Sequence, residues 1–198
     1  MVDVTDKMFA DKAKKEDRKT AGFGQMSNNV VELMSAIATN KGIRRLLYIN
    51  ESDPFNARYD RRVPTRDEIL SNTSKYGRIK PVSFNTEATT EDRTEIRVYY
   101  NIGRIDGSGK QVDANLHIDI ICAKDLWLIE DAIGRSKIRP YEILSRVSDE
   151  IGAKNRNDIK IGTMSQFQML SVNEQFDAIR VYYNIKDIAG DIAYVEGS

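Results

Sequence analysis

The chain has 198 residues with 30 Lys+Arg against 30 Asp+Glu, a formal net charge of +0, and 40% hydrophobic against 30% charged side chains. That balance argues against a free-standing nucleic-acid binder, which needs excess cations to displace counterions from phosphate, and it allows one domain with a core, plus an appendage. One cysteine, Cys122, and one histidine, His117, exclude an intrachain disulfide, thiolate zinc clusters and most acid–base constellations.

No run of about 18 apolar residues occurs and the N-terminus has no apolar signal segment, so the chain is expected to be made and kept in a cytoplasm. Residues 1–25 read as a polar N-terminal arm: Asp11 to Lys19 mixes both signs, with Met8 and Phe9 its main apolar groups. Such a segment alone buries too little to offset its ordering entropy. Residues 26–189 read as a single domain and 190–198 as a short tail.

Asn29 followed by Glu32 predicts a capping box at a helix start, with Val30, Val31, Met34, Ile37 and Ala38 on its apolar face. Asn40-Lys41-Gly42 interrupts that pattern, and Ile43, Leu46 and Leu47 predict a second short helix. Residues 51–78 form an irregular, charged excursion, within which Thr65 and Glu68 make another capping box for a short helix reaching about Leu70. Long excursions of this kind usually function or contact something.

Beyond Pro81 the period changes to two. Ile96, Val98, Tyr100 and Ile102 share one strand face; Glu95, Arg97, Tyr99 and Asn101 share the other. Residues 104–110 make a hairpin connection. In the next strand Val112, Ala114, Leu116, Ile118, Ile120 and Cys122 oppose Asp113, Asn115, His117 and Asp119. One face dry and one wet predicts an antiparallel sheet covered on a single side. After a loop with Gly134, a helix over 138–151 has Pro140 in its first turn, Ile143, Leu144, Val147 and Ile151 inward, and Gly152 as its stop. Strands near 162–172 and 176–185 follow, joined by Asn173-Glu174-Gln175. The fold class is therefore α+β: a two-layer sandwich, mostly antiparallel sheet with helices on one face, plus an extended N-terminal arm.

Ile96-Arg97-Val98-Tyr99-Tyr100-Asn101-Ile102 recurs letter for letter as Ile179 to Ile185. Two readings are open: two strands in the same sheet environment, or an Arg-Tyr-Asn face that makes a subunit contact, since arginine and aromatic side chains carry much interface energy. On the second reading the candidate interface residues are Arg97, Tyr99, Asn101, Arg180, Tyr182 and Asn184, with Arg104 and Lys110 from the hairpin and Arg58, Arg61 and Arg62 from the excursion.

Elsewhere the chemistry is sparse. His117 and Asp119 share a strand face and could hold a metal or build a general base, but no third partner is evident. Gly107-Ser108-Gly109-Lys110 lacks phosphate-loop spacing and joins two strands. Arg58 to Arg62 around Tyr59 could bind single strands, but Asp53, Asp60, Asp67 and Glu68 cancel much of the field. No cofactor and no metal are expected.

The stretch from Asn28 to Lys186 resembles the tail terminator or head-to-tail joining (neck) proteins of tailed bacteriophages. The likeness is carried by Asn40 to Tyr48 leading to Asp53-Pro54, by His117 to Cys122, by Ile138 to Ile143 and by Asn173 to Arg180. It implies a non-enzymatic virion protein, assembled in the host cytoplasm into a homo-oligomeric ring, hexameric in that family. Such a ring sits at the capsid–tail junction, contacts connector-side neck proteins and the tail tube, and lets DNA pass without sequence recognition. The charged arm and the 51–78 excursion depart from the compact version and suit another neck, head-completion or collar component as well. The alternatives of other classes are a small enzyme or ligand-binding protein using His117 and Asp119, and a DNA-binding accessory protein.

Overall fold

The computed structural model describes residues 4–85, 91–105, 111–155 and 164–189, with side chains from Gly22 onward except at 111, 154, 155, 186, 187 and 189. Helix α1 runs from Val4 to Thr39 and α2 from Lys41 to Tyr48. A 3-10 turn at Ala57–Arg62 and α3, Arg66–Leu70, lie within the excursion. Strands β1 (Ile79–Lys80), β2 (Thr94–Ile105) and β3 (Gln111–Ala123) follow. Then come the short hairpin β4 (Leu128–Glu130) and β5 (Ser136–Ile138), helix α4 (Arg139–Asn155), β6 (Met164–Ser171) and β7 (Phe176–Ala189).

Five strands form one sheet in the order β1-β2-β3-β7-β6, antiparallel except for the β1–β2 pair. Ile96, Val98, Leu116, Ile118, Ile120, Ile179 and Val181 point from it into a core closed by Leu33 and Ile37 of α1, Leu46 and Leu47 of α2, and Ile143 and Val147 of α4. This is the expected α+β architecture, with helices against one face of a mostly antiparallel sheet.

Local signals behave as their chemistry dictates. Asn40 caps α2, its side chain accepting from the Ile43 amide. Thr65 and Glu68 form the full reciprocal capping box of α3. Asn173 Oδ1 accepts from the amides of Gln175 and Phe176 at 2.9 and 2.7 Å and closes the β6–β7 turn. At Gly134 the φ of +77° turns the β4–β5 hairpin at a cost only glycine avoids.

Four expectations are corrected. The capping box at Asn29 is not used: α1 continues through it, and Asn29 is buried, accepting from Gln25 Nε2 at 2.8 Å and donating to the Tyr100 hydroxyl. Val31 is 62% exposed, and Leu33 takes its place in the core. Gly152 does not stop α4, which runs on to Asn155. Ile102 is 65% exposed because a register shift between Tyr100 and Ile102 puts it out of phase with Val98. The 106–110 connection, including Lys110, and the tail 190–198 lie outside the described residues.

Two buried arginines tie the excursion to the helical layer. Arg139, at 0% exposure, donates to the carbonyls of Leu126, Leu46, Ile49 and Glu51 at 2.6–3.0 Å and to that of Asn50 at 3.4 Å. It thereby satisfies the carbonyl end of α2, where a cation is favoured. Arg45 binds the Pro54 and Asn56 carbonyls at 2.9 and 3.2 Å and pairs with Asp60.

Candidate functional site

The repeated heptapeptides lie on β2 and β7, both antiparallel to β3 and in the same register against it. Ile96, Val98 and Tyr100 face Ile120, Ile118 and Leu116; Ile179, Val181 and Tyr183 face the same three residues from the other side. On the opposite face this produces cross-strand rows: Arg97–Asp119–Arg180, then Tyr99–His117–Tyr182. The two identical segments thus flank one central strand in the same register.

This second face is not the solvated surface that alternation suggests. Glu95, Arg97, His117 and Asp119 are all buried. Near one end Phe84 closes over it, edge-on to Phe176 at 5.4 Å and beneath the Arg97 guanidinium at 5.3 Å, beside a small cluster of Ile121, Ala123 and Ala178. Arg97 pairs with buried Glu95, which also meets Arg93 at 2.7 Å. Alternation cannot report this, because a charged pair that satisfies itself can be enclosed without apolar side chains.

The matching arginines therefore have different partners. Arg180 binds Asp119 through both arms, Nε to Oδ1 at 2.7 Å and Nη2 to Oδ2 at 2.8 Å, and its Nη2 also donates to the Tyr99 hydroxyl at 2.9 Å. The Tyr99 hydroxyl donates to Asp119 at 2.8 Å. Burial, then the carboxylate that accepts its proton, pushes the Tyr99 phenol up to about 12. The carboxylate holds the Arg180 guanidinium well above its ordinary value.

His117 lies between Tyr99 and Tyr182, ring centroids at 5.5 and 4.7 Å, both edge-on. Its Nδ1 is buried with no hydrogen-bond partner among the described residues. Burial and the neighbouring Arg180 lower its pKa, so it is neutral at pH 7. Asp119, the expected second member of an acid–base pair, is engaged by Arg180 and Tyr99. Among the described residues no three His, Cys, Asp or Glu side chains are grouped to hold a metal. Cys122 is buried on the core side, its thiol pushed up to about 11 by burial.

The other interface candidates are divided. Asn101, Asn184 and Arg104 are exposed, Tyr99 and Tyr182 partly so, and Arg97 is enclosed by its own chain. Tyr182 donates to Gln168 on β6 at 3.0 Å. In the excursion Arg58 pairs with Asp53 at 2.9 Å and Arg62 with Glu51 at 2.6 Å; both lie over the Tyr59 ring, while Arg61 is exposed. The charges of that segment are thus largely matched within the chain.

Sequence reasoning misses two apolar surfaces. Phe167 and Met169 on edge strand β6 are 60% and 45% exposed, although their partners Val181 and Ile179 are fully buried. On the β4–β5 hairpin, Leu128 and its cross-strand partner Ile138 are exposed, with Ile133 in the turn. The position of β6 at the sheet edge leaves Phe167 and Met169 bare.

The family model described as YomW matches residues 40–185, from the cap of α2 to the end of the second heptapeptide. No curated protein matches the chain.

Proposed function

Because the chain belongs to the YomW family, a phage-derived family of the Bacillus prophage type, we propose that it is a structural protein of the phage particle that closes into a ring at the junction of capsid and tail. The observation that carries this reading is the edge strand β6. Its eight residues, Met164 to Ser171, contain no charge and no proline, and Phe167 and Met169 stand exposed on it. Edges of monomeric sheets are normally guarded by charge, proline or brevity. The opposite edge, β1, is only two residues long and is followed by Pro81. In a closed ring each subunit offers one patch to a different patch on its neighbour, and an unguarded edge on one side only suits such a contact. Exposed Asn101, Asn184 and Arg104 supply further contact groups, and the partners on this reading are connector-side neck proteins and the tail tube, with DNA crossing the channel. No catalytic step is assigned to His117.

The test is negative-stain microscopy of the purified chain and of particles, with the chain located by labelled antibody. Rings in solution and label at the neck are expected. Phe167→Asp should abolish rings while leaving far-UV circular dichroism unchanged. A wild-type monomer at all concentrations, or label elsewhere on the particle, overturns the reading.

A further inference from the structure

The far edge of the sheet stays open beyond β1. β1 flanks β2 only at Ile96 and Arg97. β2 continues to Ile105 with no strand along its outer side among the described residues, and Asn101 to Ile105 are exposed throughout. Past Tyr100 a register shift leaves Asn101 without a cross-strand partner. Ile102 and Arg104 therefore lie on the face of Asn115 and Asp113, while Gly103 and Ile105 lie on the helix-covered face beside Ala114 and Val112. A bulge of this kind bends a strand and adds the curvature that closing sheets need.

Gly103 is the informative residue of this edge. Its backbone lies outside the left-handed region, and a Cβ there would meet Val112 Cγ1 and Ala114 Cβ at 3.5 and 3.6 Å, ordinary contact distances. Neither conformation nor crowding among the described residues therefore requires glycine, although glycine weakens a strand interior and marks places where something else comes close.

β6 matches this edge in direction, charge and face. β2, β3, β7 and β6 alternate in direction, so β6 runs opposite to β2. A rotation about an axis along the strands keeps those directions and keeps all the helices on one side of the sheet. It brings the β6 edge of one copy antiparallel to the β2 edge of the next. On the helix side β6 carries Phe167 and Met169, opposite Val181 and Ile179; Gln166 and Gln168 are on the other side. Arg104 guards the β2 edge against a second copy of itself, whereas β6 has no charge to meet it.

We propose that the β6 edge of one copy adds as an antiparallel strand to residues 102–105 of the next, with Phe167 over Gly103 and Gln166 beside Arg104. An aromatic ring across from an edge glycine supplies packing that the glycine lacks. A register one residue to either side would turn Phe167 to the polar face. This contact rests on the ring reading of the chain and names the patch that receives β6.

Disulfide trapping in the full chain tests it, because facing residues on antiparallel strands lie within reach of a disulfide and native Cys122 is buried. Arg104→Cys mixed with Gln166→Cys should give covalent dimers under mild oxidation. Each variant alone should give none, and the double variant should give a ladder of oligomers. Cross-linking to Gln168→Cys instead moves the register by two residues and upholds the contact. Gly103→Asp places a charge under Phe167 on a strand that is exposed in the single subunit. It should weaken assembly about tenfold or more in sedimentation, with circular dichroism unchanged. Rings that cross-link at neither glutamine position, or dimers formed by Gln166→Cys alone, overturn this contact and leave the ring standing. A ladder from particles labelled elsewhere than the neck upholds the contact and overturns the location. A chain that is monomeric at all concentrations overturns both.

Discussion

Asp119 of β3 receives both arms of the Arg180 guanidinium from β7, at 2.7 and 2.8 Å, with the Asp119 side chain only 5% exposed. Breaking such a pair leaves a buried charge without its counter-ion, which costs more than the pair itself contributes. Arg180→Gln is therefore expected to destabilise by about 2–3 kcal/mol, somewhat below the figure for a fully buried pair because Arg180 is partly exposed. Arg97→Gln should cost less, about 1–2 kcal/mol, because Arg93 remains paired with buried Glu95 at 2.7 Å. Urea titration of each variant checks both, and a change within about 0.5 kcal/mol would show that the pairs are incidental.

His117 makes stability depend on pH below neutrality. Its folded pKa is depressed, so near and below its unfolded value of about 6.5 the unfolded chain binds the extra proton first. Stability that is fully present above that value is then lost as the pH falls towards the folded pKa. Denaturation midpoints measured from pH 7.5 to 5.5 should decline in the wild type. His117→Phe, which keeps an aromatic ring between Tyr99 and Tyr182, should flatten the decline; equal slopes would assign it to carboxylates instead.

Arg139 is a third point of failure. It serves carbonyls from α2, the excursion and the segment before β4 at once, and burial presses its own pKa down to about 10. Arg139→Lys should destabilise by about 3 kcal/mol or more, because one ammonium has three donors and no planar fork. Thermal melts of Arg139→Lys and Arg139→Met should both show the loss. A lysine variant with the wild-type midpoint would mean that its charge alone holds the excursion in place.

Much of the architecture is legible in the chain order. Period-two alternation finds β2, β3 and β7, the spacing of Ile43, Leu46 and Leu47 finds α2, and the Thr65–Glu68 capping box places α3, because side-chain faces and caps depend on neighbours within a few residues. The site is less legible. The heptapeptide repeat announces a common environment, but nothing local states that both copies flank β3 in one register, nor that Arg180 takes Asp119 while Arg97 takes Glu95. Arg139 reads as a helix-start charge; its partners come from segments far away along the chain.

The sequence by itself determines the α+β class, the alternation of the central strands and the Thr65–Glu68 cap, all set by short-range periodicity and steric preference. Tertiary structure alone decides that Glu95, Arg97, His117 and Asp119 are enclosed while Phe167 and Met169 are bare. Polarity predicts where a side chain would rather be; the position of its strand in the sheet, central or at the edge, determines whether anything covers it.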